Sequence, residues 1–160
     1  MRRLIAVLAL VALPLAGCGS AEPDGGGGTA PPPPPPADTF DLAEAMARIE
    51  SSGFTPAPPE GPLPGPVRAI HSTCTGSANG RCQEVFVFHS RDLVGSVHAG
   101  LMRITGQNGT QVSLELPRYA PGGPGCCPSG TPSPHTLRVE AGKLVADPPI
   151  PEDPNGHGDS

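Results

Sequence analysis

The chain has 160 residues, of which 24 are proline and 22 glycine, with no tryptophan, one tyrosine and four phenylalanines. Its formal charge is −5, and without Arg2 and Arg3 it falls to −7, the other arginines lying scattered and Lys143 being the single lysine. An acidic chain without a basic stripe is a poor partner for nucleic acid or for anionic lipid headgroups, and so few rings disfavour a carbohydrate platform or single-strand cleft built on exposed aromatics.

The N-terminus opens with Arg2 and Arg3, followed by an apolar run from Leu4 to Leu15 and the small-residue box Leu15-Ala16-Gly17-Cys18. A basic start, a short apolar stretch and a small-residue cleavage box predict a secretory signal peptide over residues 1–17. A dozen or so apolar residues fall short of the ~20 needed to span a bilayer. A box that ends on Cys18 predicts a bacterial lipoprotein: the thiol takes a diacylglyceryl group, becomes the new N-terminus and anchors the chain on the extracytoplasmic face of the cell membrane. Residues 18–37 then carry Gly25–Gly28 and the six prolines Pro31–Pro36. Flexible glycines followed by a stiff polyproline rod predict a stalk, with a reach on the order of 60 Å.

A domain is expected over residues 38–150. Asp38-Thr39 offers a helix N-cap, Asp41 and Glu44 suit the positive end of the helix, and Leu42, Met46 and Ile49 at i, i+4 and i+7 make one apolar face. Gly53 ends that helix, and Pro56 to Pro66 is too proline-rich to pair in a sheet. Strands are predicted over Val67–Thr73, Glu84–His89, Leu93–Val97 and Leu101–Thr105. After the Asn108-Gly109 turn, Gln111–Leu116 alternates apolar and polar residues, and Leu137–Val139 and Leu144–Ala146 form a closing hairpin around Ala141-Gly142. Val85-Phe86-Val87-Phe88 is apolar on both faces, which predicts a central, covered strand. The expected fold is α+β: one N-terminal helix packed on a small antiparallel sheet of five to seven short strands, stapled by disulfides. Residues 151–160 read as a flexible tail.

With Cys18 lipidated, Cys74, Cys82, Cys126 and Cys127 remain. Outside the cytoplasm such thiols tend to be oxidised, and four cysteines admit three pairings. A local Cys74–Cys82 bridge closes the Thr75–Arg81 loop and leaves two neighbours whose Cα atoms, about 3.8 Å apart, are closer than the usual disulfide range. Crossed bridges to Cys126 and Cys127 would relieve that strain and staple the sheet to the Pro121–Pro134 loop. A strained vicinal pair is easily reduced, which gives an alternative function: thiol–disulfide redox chemistry or redox sensing through Cys126-Cys127. His71, His89, His98 and His135 show no metal-ligand spacing, and neither a Gly-x-Ser-x-Gly elbow nor a His-Glu-x-x-His motif is present. No cofactor, metal or catalytic set is expected.

Four stretches together resemble one family: Phe88-His89-Ser90-Arg91-Asp92-Leu93-Val94-Gly95, Pro117-Arg118-Tyr119, Cys126-Cys127-Pro128-Ser129-Gly130 and the Leu137–Val145 hairpin are similar to the LppP/LprE lipoproteins of actinobacteria. The resemblance covers roughly residues 38–150 and is most specific at Arg-Tyr followed by Cys-Cys-Pro-Ser-Gly. It implies an envelope lipoprotein and brings no catalytic residue with it. Where the family pattern has a glycine-containing turn, this chain has Ser90-Arg91-Asp92. The function expected is non-catalytic: a lipid-anchored domain that binds an envelope protein or a small apolar ligand. Arg118 and Tyr119, at the base of the proline-rich loop, are the expected contact residues.

Overall fold

The computed structural model describes residues 39–123 and 126–155. The signal peptide, Cys18 and the stalk lie outside these residues. The described chain runs α1 (Leu42–Ser51), β1 (Phe54–Pro56), β2 (Val67–Cys74), β3 (Gln83–His89), β4 (Asp92–Ala99), β5 (Arg103–Gln107), β6 (Gln111–Leu116), β7 (Ser133–Glu140) and β8 (Lys143–Asp147).

The expected single sheet of five to seven strands is replaced by two antiparallel sheets of four, ordered β1-β2-β3-β4 and β5-β6-β7-β8. The physical reason lies in β3. Val85 and Val87 point to one side and are fully buried against Val112, Leu114, Leu116 and Leu137 of the second sheet. Phe86 and Phe88 point to the other side, where they meet Ile70 and the helix residues Ala45 and Ile49. One helix can cover only one of those faces, so the second needs a second sheet. In β6 buried residues alternate with half-buried ones, so the second sheet turns its other face towards water.

The N-cap of α1 is Asp41 rather than Asp38-Thr39: its Oδ1 accepts the Glu44 N–H at 3.0 Å. Ala45 and Ile49 carry the buried stripe, Met46 packs beside them, and Leu42 stays 38% exposed. Gly53, at φ +88°, turns the chain into the short β1, a strand the proline content had hidden. The β5–β6 turn is built by Asn108, whose Oδ1 accepts from the N–H of Thr110 and of Gln111, both at 3.0 Å. Gly109 follows at φ +91°, and a Cβ there would sit 2.4 Å from the Gly65 carbonyl oxygen. Only glycine satisfies both the left-handed backbone and the close approach.

The segment expected as a flexible tail is tied down in its first half. Just before it, Ile150 packs on the inter-sheet core. Asn155 is 2% exposed; its Oδ1 accepts the Leu101 N–H at 3.0 Å, its Nδ2 donates to the Leu101 and Pro117 carbonyls at 2.8 and 2.6 Å, and its own carbonyl accepts the Tyr119 N–H at 2.9 Å.

Two stability predictions follow from this packing. Leu114→Ala, at a site 1% exposed, is expected to cost about 2–5 kcal/mol, whereas Leu42→Ala stays within about 0.5 kcal/mol of the parent; urea unfolding separates the two. Asn155→Ala leaves a buried N–H and two carbonyls unpaired and is expected to cost about 1–3 kcal/mol, with the same readout and a lowered midpoint.

Candidate functional site: an edge cleft and an exposed thiol pair

β1 covers only the last three residues of β2, pairing Phe54, Thr55 and Pro56 with Cys74, Thr73 and Ser72. The Ala57 N–H still reaches the His71 carbonyl at 2.8 Å. Beyond it the proline run, which cannot supply a ladder of N–H donors, stands off from the sheet. A cleft of about 540 Å³ opens there. It is lined by the proline segment, including Pro59 and Glu60, by Ala69 and Ile70 of β2, and by Met102 with Arg103 and Ile104 at the start of β5. Its size falls within the range of small-molecule sites, about 300–1,000 Å³.

The β2 edge inside the cleft is closed by a side chain instead of a strand. Gln107 Oε1 accepts the Ala69 N–H at 2.9 Å while its Nε2 donates to the Ala69 carbonyl at 3.4 Å. One amide thus meets both groups of one residue, as a neighbouring peptide unit would. His71 also lines the cleft, its Nε2 lying 3.2 Å from Gln83 Oε1. That oxygen already accepts the Met102 N–H at 2.7 Å. An amide oxygen only accepts, so Nε2 carries the proton.

Among the described residues the remaining polar side chains are placed as follows. Ser72, Glu84 and His98 stand in a row across β2, β3 and β4. The carboxylate occupies the middle, bonded to His98 at 2.8 Å, and keeps the imidazole from the fully buried Ser72 hydroxyl, which finds no partner among the described residues. His135 is buried between Ser133 Oγ at 3.0 Å and the Pro148 carbonyl at 2.7 Å. His89 is exposed at the end of β3. Arg68, also buried, donates from Nε to the Leu63 carbonyl at 2.9 Å and stacks over Phe40 at 4.5 Å; burial pulls its pKa below the ordinary value. It fastens the proline segment to the helix side of the sheet. Among the described residues, no group of three or more His, Cys, Asp or Glu side chains is placed to hold a metal ion.

Cys74 and Cys82 are joined in a disulfide with Cα atoms 5.3 Å apart. The crossed pairings are not formed, and Cys126 and Cys127 are exposed free thiols. They sit in the loop between β6 and β7, whose base is held by Asn155 and by the Gly130 N–H donating to the Arg118 carbonyl at 2.9 Å. Tyr119 turns inward to 9% exposure, so the contact surface expected at Arg118 and Tyr119 does not present that ring. The Arg81 guanidinium lies 5.6 Å from the centre of the Tyr119 ring and donates to the Cys126 carbonyl. Cys127 donates its thiol proton to Cys126 Sγ, 2.9 Å away. This hydrogen bond, then the repulsion of a second thiolate, raises the Cys127 pKa, against an opposing pull from Arg81.

Sequence reasoning missed the cleft and the role of Gln107. The available signal was a proline run lying between two strands of one sheet, which must leave part of an edge uncovered. For the thiols, Cys126→Ala removes the two largest of the causes that raise the Cys127 pKa and leaves Arg81 in place. The pH profile of Cys127 alkylation is therefore expected to move to lower pH, measured by iodoacetamide rates from pH 6 to pH 10.

Among the described residues no helix is long and apolar enough to cross a membrane. No curated protein and no solved structure matches the chain. Residues 67–140 match the family model of the LppP/LprE lipoproteins, a span that begins with the first residue of β2 and ends with the last of β7. Residues 67–140 are thus similar to the LppP/LprE lipoproteins, a likeness that points to a membrane-anchored envelope lipoprotein.

Proposed function

We propose that this lipoprotein is held on the extracytoplasmic face of the membrane through a diacylglyceryl group on Cys18, after removal of residues 1–17 as a signal peptide, and that its domain is a non-catalytic binding module for a small apolar ligand. The observation that carries the binding reading is the cleft of about 540 Å³ between the β2 and β5 edges. Its proline rings, Met102 and Ile104 give apolar contact area, and Glu60, His71, Arg103, Thr105 and Gln107 add polar groups that can orient a ligand. The anchor rests on the sequence box at Leu15–Cys18 together with the family match.

Two measurements test the two halves separately. Cys18→Ser is expected to shift the protein from the membrane fraction to the soluble fraction; retention on membranes refutes the anchor. Native mass spectrometry of protein extracted gently from its own envelope is expected to show a reproducible added mass. Ile104→Glu and Pro59→Glu, which put a charge into the apolar walls, are expected to abolish that mass while the circular dichroism spectrum stays unchanged. A bare mass from the parent protein, or an added mass that survives both substitutions, overturns the cleft as the binding site.

A further inference from the structure

Cys126 and Cys127 are adjacent, exposed and reduced, and their sulfur atoms lie 2.9 Å apart. Three features set them apart from spare surface thiols. The loop that carries them is fastened at its base, through Asn155 and through the Gly130 N–H to the Arg118 carbonyl. The Arg81 guanidinium donates to the Cys126 carbonyl and so stands beside the pair; its charge opposes, without reversing, the upward shift that Cys126 imposes on the Cys127 thiol. The ring the pair can close is an unfavourable one, because adjacent Cα atoms sit about 3.8 Å apart, below the range that disulfides prefer. The Cys74–Cys82 bridge, at 5.3 Å, lies within that range. A strained bridge has the more oxidising potential of the two and is the one that can be opened and closed.

We propose that Cys126 and Cys127 form a two-electron thiol–disulfide exchange site, cycling between the open dithiol and a vicinal disulfide while Cys74–Cys82 stays closed as a structural bridge. In the closing direction the oxidant is a disulfide, either of another envelope protein or of low molecular weight. One cysteine, as thiolate, attacks a sulfur of that disulfide, forms a mixed disulfide and expels the other sulfur as a thiolate, which takes up a proton. The second cysteine loses its proton, attacks its neighbour's sulfur and releases the second thiol. Two cysteine thiols and one external disulfide become one vicinal disulfide and two external thiols. A dithiol donor reverses the sequence. Arg81 is a positioning residue: it orients the Cys126 carbonyl and supplies positive charge beside the reacting thiols. The site is independent of the cleft, and each can fail without the other.

The test equilibrates the full chain in glutathione buffers of graded thiol-to-disulfide ratio, followed by acid quench, alkylation and intact and peptide mass analysis. In disulfide-rich buffer, loss of two hydrogens confined to the peptide holding Cys126 and Cys127 is expected. On moving to thiol-rich buffer that pair opens, at a ratio at least ten-fold less reducing than the one that opens Cys74–Cys82. Two stable glutathione adducts with no ring, or a ring that opens only together with Cys74–Cys82, overturns the proposal. With folding verified by circular dichroism, Arg81→Ala is expected to slow alkylation of the open pair several-fold at fixed pH, and Arg81→Lys to restore most of the rate. Equal rates in all three proteins remove Arg81 from the site.

Discussion

The structure depends on one constraint: β3 carries four buried residues in succession, and a strand's side chains alternate between faces. Val85 and Val87 must be covered on one side and Phe86 and Phe88 on the other. Helix α1 supplies one cover, with Ala45 and Ile49 against the two phenylalanine rings, which also stack edge-on with Phe54 and Phe40 at 5.2 and 5.8 Å. The second sheet supplies the other through Val112, Leu114, Leu116 and Leu137. A three-layer arrangement thus follows from a run of four apolar residues. Of the polar devices at its margins, Arg68 and Asn155 hold irregular backbone against a layer, while Gln107 closes the free edge of β2.

The cleft and the thiol pair both lie at those margins. At one edge, proline prevents a strand from continuing, and the result is a walled opening beside β2. At the loop between β6 and β7, the Asn155 bonds hold the base and Arg81 donates to the Cys126 carbonyl beside the two thiols. Both features follow from backbone that cannot join a ladder and is tethered by side chains. Irregular segments positioned by a rigid scaffold are the common setting for binding and reactivity.

The elements with local signals were legible in the sequence. Helix α1 ended at Gly53 as its periodicity implied, Asn108-Gly109 and Ala141-Gly142 marked two hairpins, and the doubly apolar β3 sat at the centre. The division into two sheets was not legible, because alternation reports which face of a strand is apolar and not which sheet the strand joins. The crossing happens between Ala99 and Arg103, over three residues that carry no distinctive chemistry. The N-cap was misplaced because Asp38, Thr39 and Asp41 all suit the role, and the choice falls to packing of Phe40 on Phe88. Asn155 escaped because one buried amide has no period. Tyr119 was expected at a contact surface because it stands at the base of the proline-rich loop, yet its N–H is bonded to the Asn155 carbonyl and its ring lies beside Arg81, turned inward.

The bonds Gln107 makes with Ala69 restrict what position 107 can be. The contact requires a donor and an acceptor side by side at the reach of three side-chain bonds. Asparagine is one methylene too short, and glutamate at neutral pH offers two acceptors and would set a negative oxygen against the Ala69 carbonyl. Leucine or methionine would fill the space and leave both peptide groups dry and unmet. Because the contact is made by a side chain, swinging Gln107 aside breaks two hydrogen bonds and leaves every rung of both sheets intact.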